Sequence, residues 1–242
     1  MKKALCLICH KPNSIWIEFL EKFINYDIYI IVDDNSTDYK NKYKTNVNII
    51  QIPNDVCQKS GFIDMNFTIK KKISGWEKAI YYFVNNPQYE HIWFLEDDVF
   101  ITSEQTLIDI DEKYIHSDLL TNSCSENKTG HKNDWNWKYI HIKIEPPYYH
   151  AMCCAIRVSK ELIYKIASYA NNYNTLFFLE ALFPTLCKRD NLIYDTPDEL
   201  INIVYRKKYV LSDIDTKNLY HPIKDMNKQK RFRDSLTSNV QQ

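Results

Sequence analysis

Four short runs of nearly uninterrupted apolar residues limit what this chain can fold into more than any other feature. They are Ala4-Leu5-Cys6-Leu7-Ile8-Cys9, Ile28-Tyr29-Ile30-Ile31-Val32, Val47-Asn48-Ile49-Ile50-Gln51-Ile52 and His91-Ile92-Trp93-Phe94-Leu95. Runs of this kind offer water no polar face, so as strands they must be covered on both sides, which is the mark of a parallel sheet. Helical periodicity lies between them. Pro12-Asn13-Ser14 opens a segment whose apolar positions Ile15, Trp16, Phe19, Leu20, Phe23 and Ile24 recur at helical spacing. Ser74-Gly75-Trp76-Glu77 has the spacing of a capping box and predicts a helix through Phe83 and Val84. This alternation predicts an α/β fold of three α/β/α layers, Rossmann-like, with a mainly parallel central sheet.

Composition excludes several other classes. Hydrophobic residues make up 45% of the 242 positions, too many for a disordered chain, and 31 basic side chains balance 31 acidic ones. That balance speaks against a dedicated nucleic-acid binder. With only Gly61, Gly75 and Gly130, the chain has neither a P-loop nor a G-x-G-x-x-G turn. No apolar run reaches the ~18 residues of a membrane span. The apolar stretch after Met1-Lys2-Lys3 is too short for a signal peptide, and 7 Cys without framework spacing predict buried, reduced thiols in a cytoplasmic protein. Cys6-Leu7-Ile8-Cys9-His10 matches a haem-attachment pattern but sits inside an apolar strand, and Cys153-Cys154 suggests zinc but lacks a second C-x-x-C pair, so buried free thiols are expected.

Beyond residue 100 the pattern loosens. Glu104 to Ile115 reads as helical, Ser123 to Trp137 as a polar loop, Tyr139 to Ile144 as alternating, and His150 to Val158 as strand-like. Ser159 caps a helix through Tyr169, Asn171 to Asn174 is a turn, and Leu176 to Lys188 forms a helix that Pro184 should kink or shorten. The expectation is one domain over residues 1–242, of which 225–242 is a polar basic tail, helical or frayed.

Two of the apolar strands run directly into carboxylates: Val32 into Asp33-Asp34, and Leu95 into Glu96-Asp97-Asp98. In an open parallel sheet, ligands sit outside the carboxyl ends of the strands. Both clusters should therefore face one crevice, where their mutual repulsion calls for a cation or hydrogen-bond donors.

Val32-Asp33-Asp34-Asn35-Ser36 followed by a later strand ending in Glu96-Asp97-Asp98 resembles the nucleotide-sugar-dependent glycosyltransferases of the GT-A fold. The resemblance implies that Asp33 and Asp34 hold the nucleoside, and that Glu96-Asp97-Asp98 is the D-x-D-type motif, in its E-D-D form, whose last Asp binds the metal. It further implies that Leu179-Glu180-Ala181 and Tyr220-His221-Pro222-Ile223-Lys224 are the later catalytic and diphosphate-binding elements. The Ile-, Asn-, Lys- and Tyr-rich composition is also similar to that of enzymes of giant DNA viruses, which for such an origin implies the host cytoplasm or the virion and says nothing about activity.

On this resemblance the donor is a nucleoside diphosphate sugar, UDP preferred, held by residues 1–100, and the acceptor is a hydroxyl of a glycan or glycoprotein, met by residues 101–224. Mn²⁺, or Mg²⁺, would neutralise the leaving diphosphate as a Lewis acid. Asp98 is the direct ligand, and His221 adds a nitrogen that Mn²⁺ tolerates better than Mg²⁺. Glu96 and Asp97 meet the sugar, the ribose or metal-bound water, and Lys224 pairs with the diphosphate. Asp33 accepts from a uracil imide, while Lys59, in Lys59-Ser60-Gly61, supplies positive charge on the nucleotide side.

Glu180, flanked by Phe178, Leu179, Ala181 and Leu182, is the candidate base of an inverting transfer, since apolar neighbours raise a carboxyl pKa. The alternative is an ordinary helix-face Glu, with Asp190, Asp195 and Glu161 as weaker candidates. Trp135 and Trp137 fit either an acceptor loop or the core, and Lys70-Lys71-Lys72 reads as a solvated charge run. Two rival readings remain: a nucleotidyltransferase, which the Gly-free Cys9-His10-Lys11-Pro12 segment disfavours, and a non-catalytic carbohydrate- or protein-binding module.

Overall fold

The computed structural model describes residues 2–66 and 73–239. Lys70-Lys71-Lys72 lies outside them. The elements run β1 (Lys3–Cys9), α1 (Ser14–Leu20), β2 (Asp27–Val32), α2 (Tyr39–Lys42), β3 (Asn48–Gln51), α3 (Asn54–Lys59), α4 (Gly75–Val84), β4 (His91–Glu96), α5 (Glu104–Lys113) and β5 (Leu119–Leu120). They continue with β6 (Ser125–Asn127), β7 (Tyr148–His150), β8 (Ala155–Ser159), α6 (Lys160–Tyr173), α7 (Leu179–Arg189), β9 (Tyr194–Asp195), β10 (Asn202–Ile203), β11 (Tyr220–His221) and α8 (Met226–Asn239).

All four apolar runs form strands of one sheet, ordered β3-β2-β1-β4-β8-β5-β9. The first four strands are mutually parallel, as is the β5–β9 pair, and β8 runs antiparallel to both of its neighbours. Side chains alternate across the central strand as its period of two requires. Ala4, Cys6 and Ile8 join the core beneath α4, α6 and α7, whereas Leu5, Leu7 and Cys9 join the core beneath α1 and α5. Cys6 and Cys9 thus face opposite layers and cannot serve one haem.

The local signals explain the helix starts. Asn13 accepts the Trp16 N–H at 3.0 Å, and Ser159 accepts the Leu162 N–H at 3.2 Å. Glu77 closes its capping box on the Ser74 N–H at 2.7 Å and also takes the Met65 N–H at 2.7 Å.

Several expectations need correction. The first helix ends at Leu20, and Ile24, beyond its end, is 87% exposed with its N–H bonded to Glu104 at 2.9 Å. The Ser123–Trp137 tract contains β6, which pairs with β7, so it is not wholly a loop. Tyr139 to Ile144 forms no strand, and His150 to Val158 splits between the end of β7 and most of β8. The turn expected at Asn171 belongs to α6, which Asn174 ends in the left-handed region at φ 52°. The basic segment after Lys224 forms α8, which buries Gln229 and Arg233, and the Arg233 guanidinium lies 3.8 Å from the Phe19 ring centroid. Cys124 is exposed, unlike the other six thiols.

Beneath α5, a charge network unites strands of both directions. Buried Asp111 accepts from Arg157 (3.0 Å), Trp93 (3.0 Å) and Tyr26 (2.8 Å), and pairs with Lys3 at 2.8 Å.

Candidate functional site

Strand register brings the two acidic turns to the same rim. Cys9 lies beside Val32, and Ile8 beside Glu96, so β1, β2 and β4 end together. The Asp33 N–H bonds the Cys9 carbonyl at 2.9 Å and the Asp97 N–H the Ile8 carbonyl at 3.1 Å. Because β8 runs the other way, its entry also lies here, where the Cys154 carbonyl accepts the Glu96 N–H at 2.9 Å. A cavity of about 760 Å³ opens at this edge, lined among others by Glu96, Asp98, Cys154, Glu180, His221 and Lys224.

His221 is held for ligation. Its Nδ1 is 2.7 Å from the Val204 carbonyl, which can only accept, so Nδ1 carries the proton and Nε2 presents a lone pair when the ring is neutral. Nε2 lies 3.3 Å from Asp98 Oδ1. The backbone fixes the same pairing, for the Ile223 N–H bonds the Asp98 carbonyl at 2.7 Å. Burial alone would lower the His221 pKa, but the Asp98 hydrogen bond and charge outweigh it and raise it. Glu96 takes the Trp76 indole N–H at 2.7 Å, yet burial and then the Asp98 charge raise its pKa. Burial, followed by Asp98 and Glu96, pushes Asp97 up to about 6.

The donor set fits a divalent cation. Asp98 Oδ1 is buried, and while the His221 ring is neutral it faces the Nε2 lone pair and accepts no hydrogen bond among the described residues. One donor atom each from Glu96, Cys154 and His221 fall within 4.8 Å of one another. Carboxylates crowded this way need positive charge between them.

Glu180 stands in the first turn of α7. Pro184 lies inside that helix, and the bond it cannot make is replaced from outside: the Ala151 N–H reaches the Glu180 carbonyl at 3.0 Å. Leu176 to Phe178 are not helical as expected but extended, with the Leu176 and Leu179 N–H groups bonded to the Ile63 and Met65 carbonyls. Burial, then the Glu96 charge, raises the Glu180 carboxyl to about 7.

Four other candidate residues lie on the rim or away from it rather than in the cavity lining. Asp33 is 3.3 Å from the buried ammonium of Lys78, which also donates to the Asp33 carbonyl. Asp34 is held low by hydrogen bonds from Tyr39 and Ser36. The Asp97 carbonyl takes bonds from Trp16 (2.9 Å) and Gln229 (3.0 Å). Lys59 ends α3, paired with Asp55 at 3.0 Å, and the neighbouring Gly61 (φ 75°) packs on the Ala170 carbonyl at the end of α6. Of the two indoles, Trp135 lines the cavity and stacks on His150 at 4.1 Å, while Trp137 is buried in the core. Lys78, Trp76 and Gln229 are not among the sequence candidates, and Cys154 reads there as a buried free thiol rather than a zinc ligand. Nothing in their local sequence marks them, since each acts across a long chain separation.

No protein-family model matches the chain, and no curated protein does. Among solved structures it is similar to the galactosyltransferase LgtC in complex with donor and acceptor sugar analogs (12% identity, 97% of this chain and 95% of that one, TM-score 0.47). It is similar also to mouse xyloside xylosyltransferase 1 (11%, 93% and 99%, 0.43) and to the 4-diphosphocytidyl-2C-methyl-D-erythritol synthase of Anaerococcus prevotii (12%, 98% and 96%, 0.45). At TM-scores below 0.5 these likenesses do not bear on the reaction. The strand order itself establishes a mainly parallel α/β sheet covered on both faces.

Proposed function

We propose that this chain is a metal-dependent glycosyltransferase on a GT-A-type scaffold, moving a sugar from a nucleoside diphosphate, UDP preferred, to a hydroxyl of a glycan or glycoprotein. The observation that carries the reading is the convergence of Glu96, Asp98, Glu180, His221 and Lys224 on one cavity at the carboxyl edge of the sheet.

Asp98 and His221 would hold Mn²⁺ or Mg²⁺, with Glu96 beside them. The bound cation supplies neutralisation of the charge that develops on the diphosphate. Lys224, three residues beyond His221, would pair with the same phosphates, and Asp33, Asp34 and Asp97 would line the rim beside the nucleoside, with Lys59 on its outer side. Glu180 is the group suited to take a proton near neutral pH. The acceptor oxygen bonds to the anomeric carbon, the bond from that carbon to the diphosphate oxygen breaks, and the hydroxyl proton passes to Glu180. Attack opposite the leaving group inverts the anomeric centre. Trp135 and Phe178, on the same wall, suit stacking against a sugar ring.

A panel of nucleotide sugars, assayed with and without Mn²⁺, tests the reading. Metal-dependent transfer or slow donor hydrolysis is the expected result. Failure of calorimetry to detect metal-dependent UDP binding would end it, and formation of a nucleotide sugar from sugar 1-phosphate and UTP would replace it with nucleotidyl transfer.

A further inference from the structure

A thiol stands among the ligands of a site otherwise suited to hard cations. Cys154 is buried, and its sulfur lies within 4.8 Å of donor atoms of both Glu96 and His221. Ligands on one tetrahedral Zn²⁺ are about 3.3–3.8 Å apart, so a small closure brings the three onto a single ion. The placement is built into the backbone. Residues 95 and 155 pair across β4 and β8, and the Glu96 N–H bonds the Cys154 carbonyl at 2.9 Å, so the thiol and the carboxylate stay neighbours. His221 is fixed from behind by the Val204 carbonyl. The other close contact of the Cys154 sulfur is soft as well, the Met152 thioether at 3.6 Å.

We propose that Glu96, Cys154 and His221 form a site selective for a thiophilic divalent cation, Zn²⁺ or Co²⁺, with Cys154 bound as the thiolate and Asp98 completing the set. Thiolate and imidazole favour such ions, whereas Mg²⁺ gains nothing from sulfur. On binding, a sulfur lone pair forms the metal–sulfur bond and the thiol proton leaves to bulk water, with no change of oxidation state. The site shares the cavity of the proposed transfer reaction but stands on the donor geometry rather than on sugar transfer.

Co²⁺ serves as the probe on the intact chain. Equimolar Co²⁺ should give thiolate-to-metal charge-transfer absorption in the near ultraviolet, and Zn²⁺ should abolish it. The band should vanish in Cys154→Ser and persist in Cys124→Ser, which removes the exposed thiol. Zn²⁺ affinity should fall at least about 10-fold in Cys154→Ser while Mn²⁺ affinity stays within about threefold. A band that survives Cys154→Ser, or never forms in the wild type, overturns the proposal. Should the serine variant not fold, X-ray absorption at the zinc edge of the wild-type protein decides: a sulfur shell at about 2.3 Å supports the site, and a shell of nitrogen and oxygen alone overturns it. A sulfur-bound Zn²⁺ in a protein that neither binds nor transfers nucleotide sugars would end the transferase reading and leave this one standing.

Discussion

Nε2 of His221 faces Oδ1 of Asp98 at 3.3 Å, and the Val204 carbonyl holds the far side of the ring at 2.7 Å. The relationship gives the first prediction. Asp98→Ala should abolish metal-dependent stabilisation and any metal-dependent turnover, as should EDTA. His221→Ala should weaken Mn²⁺ binding by about 10-fold or more, read by calorimetry. An unchanged Mn²⁺ isotherm in His221→Ala would remove that residue from the ligand set.

Glu180→Gln keeps the size and the backbone bond to Ala151 but removes the proton acceptor. If Glu180 is the base, kcat should drop by about 10²-fold or more with little change in donor KM. The wild-type rate should rise with pH through about 7, because the carboxylate form is the active one. Near-normal turnover in the variant would discard the assignment.

Stability should respond to the same carboxyl. Its pKa is 4.5 in an unfolded chain and about 7 in the fold, raised by burial and by Glu96 on β4 and lowered somewhat by His221 on β11. The folded protein therefore keeps a proton that the unfolded chain releases, a contribution complete below about pH 4.5 and lost as the pH rises through about 7. Without metal, Glu180→Gln should gain on the wild type by about 2 kcal/mol between about pH 5 and pH 8, allowing for screening at a half-buried site. Urea midpoints across that range measure it, and parallel curves for the two proteins would contradict it.

Asp111, on the buried face of α5 and outside the cavity lining, takes bonds from both Arg157 and Trp93 at 3.0 Å. Asp111→Ala leaves the Arg157 guanidinium buried without its carboxylate, so unfolding free energy should fall by about 3–5 kcal/mol. Denaturant titration reads it directly. A loss below about 1 kcal/mol would mean the network contributes little to holding β8 in the sheet.

Much of the first hundred residues was legible because their information is local. Strand β1 is apolar on both faces, and Ser74-Glu77 completes a cap within a single turn. The later half departs from its pattern where long-range contacts override local signals. The helix runs through Pro184 to Arg189 because Ala151 supplies the bond that proline cannot, and α8 is anchored where Gln229 and Arg233 find buried partners on the Asp97 and Ile101 carbonyls.

The order of apolar runs, and the acidic residues that end two of them, determined the sheet and which of its edges carries charge, since strand burial and direction follow from pattern and connection length. Only the tertiary structure decided which side chains meet there. His221, Glu180 and Cys154 join Asp98 around one cavity through strand register and the paths of β8, α7 and β11. Those are set by packing between distant segments, and no short stretch of sequence encodes them.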